Sequence, residues 1–194
     1  MARTIEYDRE DVLKNAMETF WEKGYSNTSI PNLVKATRLQ PGSIYAAFKS
    51  KEGMFQAALE YYSQCGLKKI RKSIEQASTP LEGVKSVLED VIEEILDDRQ
   101  QRGCFLVNSL LEMAPSNKNV QKQINNYLAI VENQLFIALK SAHDLGELSQ
   151  NKNPKALAKF LMVNIWGLRV LSKTDADENN MKEILAQLLL CLKA

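Results

Sequence analysis

Few residues of this 194-residue chain have the types and spacings that catalysis requires. Its single histidine, His143, cannot alone anchor an imidazole metal site or complete a nucleophile–base pair. Cys65, Cys104 and Cys191 are odd in number, widely spaced and contain no CxxC pair, which argues against a disulfide framework or a zinc site. Paired carboxylates, a phosphate-binding glycine loop and a metal cluster are all missing from the pattern, so the chain reads as a non-enzyme with no cofactor and no metal. The richest chemistry lies between Thr28 and Lys51, TSIPNLVKATRLQPGSIYAAFKSK. Hydroxyls (Thr28, Ser43, Tyr45), an amide (Gln40), a small backbone position (Gly42 after Pro41) and cations (Arg38, Lys49, Lys51) are concentrated there. Such groups donate to phosphate oxygens and read the edges of bases.

Short helices must position these groups. Thr28 is a cap-type residue, and Ser29-Ile30-Pro31 fill a first turn, where proline is tolerated because the amides there have no intrahelical acceptor. Ile30, Leu33 and Val34 form one apolar face. After a break at Ala36-Thr37-Arg38, Leu39 turns inward and Pro41 opens a second helix. Ile44 and Phe48 bury one side of that helix and leave Gly42, Ser43, Tyr45 and Ala46 outside. Ser50 caps a further helix from Lys51. This is the helix-turn-helix pattern.

The rest of the chain is read as all-α. Glycine (8) and proline (5) are sparse, and apolar residues recur at helical spacing nearly throughout. About nine helices are expected. The first spans Asp8–Lys23, with Asp8 as cap, Tyr7 stapled on Val12 and Gly24 as the stop. The fourth runs from Lys51 past Ile70, and the fifth opens at Thr79-Pro80-Leu81-Glu82 as a capping box. Gly103–Glu112 reads as a helix buried all round; later helices start near Asn117, at Asn153-Pro154 and between Thr174 and Asp177. No run of apolar residues is long enough to span a bilayer, and MARTIEYDRE is unlike a signal peptide, so a cytoplasmic location with no membrane partner is expected. Net charge is only +1. Local placement of Arg3, on an N-terminal arm, and of Lys49 and Lys51 matters more for phosphate contact.

The string Pro41-Gly42-Ser43-Ile44-Tyr45-Ala46-Ala47-Phe48-Lys49-Ser50-Lys51-Glu52 closely resembles the DNA-binding module of the TetR family of bacterial transcriptional regulators. Thr28-Ser29-Ile30, Leu33 and Ala36, with Ala16, Phe20, Lys23, Gly24 and Tyr25 before them, add to it. Gly146-Glu147-Leu148 and Trp166-Gly167-Leu168 extend the resemblance into the second half. It implies a three-helix DNA-binding domain over 1–50 and a ligand-binding and dimerisation domain over 51–194. The first would bind a palindromic operator as a homodimer; the second would release it on binding a small-molecule inducer, in the manner of a repressor. DNA contacts are expected from Thr28, Arg38, Gln40, Pro41, Gly42, Ser43, Tyr45, Lys49 and Lys51, with Thr28, Lys49 and Lys51 as phosphate clamps.

Three departures stand out. Arg38 replaces the usual turn glycine, so an arginine sits at φ > 0 or the turn differs. Ala46 and Ala47 replace bulkier residues, and Gln40 replaces a Ser-type cap. For the inducer, Tyr61, Cys65, Phe105, Asn108, Leu111, Met162 and Trp166 are candidates. The twin surface is assigned to the last two helices, through Phe160, Leu161, Leu168, Ile184, Leu188 and Leu192. Arg102-Gly103-Cys104 resembles regulators of this family that sense oxidants or electrophiles, which makes Cys104 a candidate redox residue and gives a second reading. A third is a helical interaction protein that binds no DNA.

Overall fold

The computed structural model describes residues 8–98, 100–113, 115–174 and 177–192. Arg3 and Tyr7, given roles above, lie outside the described residues. Those residues form nine helices and no strand: α1 (Arg9–Lys23), α2 (Ile30–Thr37), α3 (Pro41–Phe48), α4 (Lys51–Gln76), α5 (Pro80–Asp97), α6 (Phe105–Met113), α7 (Lys118–Asp144), α8 (Pro154–Leu171) and α9 (Glu178–Leu190). The all-α expectation holds.

Most helix starts follow from short polar side chains that satisfy otherwise orphaned amides. Asp8 accepts from the N–H of Glu10 at 2.8 Å and of Asp11 at 3.4 Å. Asn117 serves Asn119 and Val120, Asn153 serves Lys155 and Ala156, and Asp177 serves Asn180. At α5 only half of the expected box forms. Thr79 accepts from the Glu82 N–H at 3.3 Å, but the Glu82 carboxylate pairs with Lys85 one turn on. The helix over Gly103–Glu112 also differs from expectation. It starts at Phe105 and is not buried all round, since Leu111 is 72% exposed while Phe105, Leu106, Ser109 and Met113 are buried.

The chain forms two compact units. One takes Met1–Cys65 together with Asn108–Gln123; the other takes Gly66–Val107 with Ile124–Ala194. The first is built on an aromatic cluster. Phe20 meets the edge of Phe55 with ring centres 5.0 Å apart, Tyr25 meets Phe55 at the same distance, and Leu33, Ile44, Met54 and Leu59 close round them fully buried. Edge-to-face contacts of this kind suit the aromatic quadrupole.

In the second unit, α5 turns Val84, Val87, Leu88, Val91, Ile92 and Ile95 inward and packs on α8 and α9. Leu161, Leu168, Leu188 and Leu192 all belong to this core, at 0–3% exposure. Their assignment to a twin surface is therefore corrected: each is covered by its own chain. Of that set Phe160 is exposed, at 43%, and Ile184 is half-buried. The outward face of α8 is instead Phe160, Val163, Gly167 and Val170, at spacings of three and four. Val163 is 67% exposed, and nothing lies near the Gly167 Cβ position. Among the described residues, no helix is long and apolar enough to cross a membrane.

Candidate nucleic-acid interface

The reading surface begins one residue later than expected. Ser29, not Thr28, caps α2: its hydroxyl accepts from the Asn32 N–H at 3.3 Å, and Asn32 Oδ1 accepts from the Ser29 N–H at 2.9 Å. Asn in the place usual for Glu or Gln completes a reciprocal box. Pro31 falls in the first turn, where it removes no helical bond. Leu33 is fully buried, and Thr37 turns its hydroxyl back to the Leu33 carbonyl at 2.7 Å.

The turn between α2 and α3 resolves the first departure. Arg38 is held left-handed at φ 59°, ψ 12°, with its N–H bonded to the Val34 carbonyl at 2.9 Å. A non-glycine residue there is strained. Leu39 is buried behind it, and Gln40 caps α3 by backbone alone, its side chain making no cap bond. The Gln40 amide is exposed and uncommitted by the cap.

Helix α3 then buries Ile44 and Phe48 and exposes Pro41, Gly42, Tyr45 and Ala46, with Ser43 half-exposed. Tyr45 is 48% exposed, a large aromatic left in solvent. A side chain at Gly42 would meet no atom within 4 Å, so the fold itself does not require glycine there. Arg9 places its guanidinium 5.3 Å from the Phe48 ring centre, bringing a cation to the end of this helix.

Lys49 and Ser50 alone join α3 to α4. Lys49 sits at φ 70°, ψ −39°, and the Ser50 N–H reaches the Phe48 carbonyl at 2.9 Å, which makes the joint a tight three-residue turn. Ser50 caps α4 as expected, accepting from the Gly53 N–H at 3.0 Å. Gly53 is a requirement that the sequence reading missed. A Cβ there would stand 2.0 Å from the Phe48 carbonyl oxygen, so only glycine lets α4 start this close to α3.

Two expected phosphate clamps are turned inward. Thr28 is 1% exposed and donates its hydroxyl to the Gly24 carbonyl at 2.6 Å. The Lys51 ammonium bonds the carbonyls of Tyr25 and Thr28, each at 2.9 Å, and lies 4.2 Å from the Tyr25 ring centre. The Thr28 hydroxyl proton and two of the three Lys51 ammonium donors are used inside the protein. Lys49 remains outward, with its ammonium 3.3 Å from the Ala46 carbonyl.

The residues expected to line an inducer pocket are divided between the two units, with Phe105 and Asn108 on the same helix, α6. Tyr61, Cys65, Asn108 and Leu111 belong to the first unit; Phe105, Met162 and Trp166 belong to the second. Leu111 is largely exposed, at 72%. Burial, Cys65 and Glu10 together push the Tyr61 hydroxyl up to about 12, so it stays a neutral donor. Cys104 is buried next to the left-handed Gly103, and the Arg102 guanidinium is bonded to Asp98 at 3.1 Å. The second unit holds a different hollow, an open groove of about 640 Å³, with Ile74, Pro80, Ile130, Asn133 and Ile137 among its walls. None of the seven expected residues lines it. Among the described residues, no three His, Cys, Asp or Glu side chains are grouped to hold a metal ion.

A capped α2, a strained tight turn and an α3 with small and polar residues outward define a helix-turn-helix protein of the DNA-binding class. Residues 12–58 match the family model for bacterial regulatory proteins of the tetR family, and residues 80–188 match that for the tetracyclin repressor-like C-terminal domain. The chain belongs to the TetR family. The HTH-type transcriptional repressor ComR of Escherichia coli (strain K12) is 28% identical over 182 residues, 92% of this chain and 85% of ComR. YezE of Bacillus subtilis (strain 168), an HTH-type transcriptional regulator, is 24% identical over 94% of this chain and 95% of its own. Among solved structures, a cysteine mutant of the TetR family transcriptional regulator CifR, complexed with 26-bp double-strand operator DNA, aligns at a TM-score of 0.87. It is 26% identical, with 98% of this chain and 100% of that one covered. The family and these relatives are transcriptional regulators, not enzymes.

Proposed function

We propose that this regulator binds a palindromic operator as a homodimer, represses transcription and is released by a small-molecule inducer. The observation that carries the DNA half is the outward face of α3, where Gly42, Ser43 and Tyr45 stand exposed or half-exposed around a glycine that the fold does not need. Gln40, Pro41, Gly42, Ser43 and Tyr45 meet base edges and backbone in the major groove, and Arg38 and Lys49 meet phosphates. Thr28 and Lys51 support that surface from within. Residues 1–50 carry the reading helices, while 51–194 carry the inducer response and the twin contact, in the cytoplasm.

Homodimerisation is supported by the uncovered apolar face of α8, Phe160, Val163 and Val170 flanking Gly167. A twofold pair sets its reading helices about one duplex turn, roughly 34–36 Å, apart. The inducer half is supported by an open groove of about 640 Å³ in the second unit, whose walls include the exposed Ile130 and Ile137. The name of ComR as a repressor favours repression over activation.

Selection of bound duplexes from a random pool tests the reading, with Tyr45→Ala run beside the wild type. An enriched palindrome that the variant no longer selects is the expected result. No enrichment at low salt refutes DNA binding and leaves a helical interaction protein.

A further inference from the structure

The carboxylate of Glu112, in the last turn of α6, accepts the backbone N–H of Tyr25 at 2.9 Å through Oε2 and that of Ser26 at 2.8 Å through Oε1. Tyr25 and Glu112 are 87 positions apart in sequence but belong to one compact unit. The two donors lie in the turn between α1 and α2. Its carbonyls are held as well: those of Tyr25 and Thr28 accept from Lys51. Gly24 opens the turn at φ 78°, and a Cβ there would lie 3.0 Å from Glu112 Oε2, so this glycine leaves room for the carboxylate. Two further bonds tie the same late segment to the start of α4. Asn117 donates to Glu52 at 2.8 Å, and Gln123 donates to the Gln56 carbonyl at 2.9 Å.

An exposed turn normally gives its N–H groups to water and samples several conformations. This one offers both to a single anion, and it ends at Ser29, the cap that sets where α2 starts. The direction of α2 in turn fixes α3 through a three-residue connection, Arg38, Leu39 and Gln40.

We propose that Glu112 is a positioning residue for DNA reading: it fixes the α1–α2 turn, so the reading head is completed by residues 108–123 from the second half of the sequence. The proposal rests on the DNA-binding reading above. Glu112 touches no nucleic acid in this scheme; it acts through the turn.

The test uses the full chain with Glu112→Ala and Glu112→Gln. Hydrogen exchange is measured at the Tyr25 and Ser26 amides, and affinity is measured for the duplex that the wild type selects. In Glu112→Ala both amides exchange about tenfold faster or more, and duplex affinity falls about tenfold, as expected for two partly exposed charge-assisted bonds. Glu112→Gln, which keeps one acceptor oxygen, falls between. The slope of log affinity against log salt stays at the wild-type value, because no phosphate contact is removed. Thermal midpoints move by only a few degrees.

Unchanged exchange overturns the proposal, as does faster exchange with unchanged affinity, a shifted salt slope, or a collapse of the fold in both variants. Should only the alanine variant fail to fold, the glutamine variant decides on the same readouts. A wild type that selects no duplex sinks the DNA reading and this inference together, whereas a selected duplex bound equally by the variants sinks this inference alone.

Discussion

Replacing Arg38 with glycine separates the two jobs assigned to that residue. Its backbone sits at φ 59°, ψ 12°, where an L-side chain costs about 1–2 kcal/mol. Glycine removes that cost but adds freedom to the unfolded chain, offsetting about 0.4–1 kcal/mol. The balance is a gain of about 0–1.6 kcal/mol, centred on about 0.8 kcal/mol, which for a chain of this size is about 2–3 °C in thermal midpoint. The N–H bond to Val34 is kept, since it belongs to the backbone. DNA binding should move the other way. If the chain binds as the proposed homodimer and each guanidinium neutralises one phosphate, two contacts are lost, and the slope of log affinity against log salt becomes shallower by about 2. Arg38→Ala is the control: it loses the same charge but keeps the strained backbone, so it shows the shallower slope without the gain in midpoint. Scanning calorimetry and a salt titration of duplex binding give both numbers. A glycine variant no more stable than the alanine variant would refute the strain argument. An unchanged slope in both would refute the phosphate contact.

Three further variants test the second unit. Val163→Arg puts a charge in the centre of the uncovered α8 face and should convert dimers to monomers in light scattering at little cost in monomer fold, whereas Leu161→Ala should lose about 2–5 kcal/mol of stability by opening the core. A dimeric Val163→Arg would show that this face is not the contact. For pH, burial alone would raise the Glu94 carboxyl, but the Arg169 guanidinium and then Lys69 outweigh it and hold it below the ordinary value of 4.5. The folded form thus binds this proton less readily than the unfolded chain, so the stability contributed is full above about pH 4.5 and is lost as pH falls through the depressed value. Thermal midpoints of Glu94→Gln from pH 7 to 3 should therefore fall less steeply than those of the wild type, and parallel curves would show that the ion pair does not govern the acid limb.

Much of this protein was legible because its signals are local. A cap and the amides it serves lie within three residues, so Asp8, Thr79 and Asn153 announce their helices directly, and the last start is bracketed between Thr174 and Asp177. The reading helix was equally plain, since Ile44 and Phe48 inside and Gly42 and Tyr45 outside differ by single positions on one turn of helix. Arg38, standing where the resemblance implies glycine, marked a turn that was either strained or different, and the structure shows the strained form. Even so, the local reading missed by one residue at Thr28 and Ser29, because both are good caps and only the packed turn decides which hydroxyl faces inward.

What the sequence left open depends on contacts across long separations. Helix α8 is apolar on more than one face, so periodicity identified Leu161 as interface material and passed over Val163. Only packing of α5 against α8 and α9 buries the first and leaves the second exposed. Lys51 looked like a phosphate clamp by position, yet in the fold the carbonyls of Tyr25 and Thr28 lie within its reach. Glu112 carried no local signal, for its partners are backbone amides that any residue type could supply. Amphipathic spacing and caps are properties of a few consecutive residues, and the chain determines them alone. Which half of an apolar surface is covered, and which charge finds a buried partner, is decided only when distant segments meet.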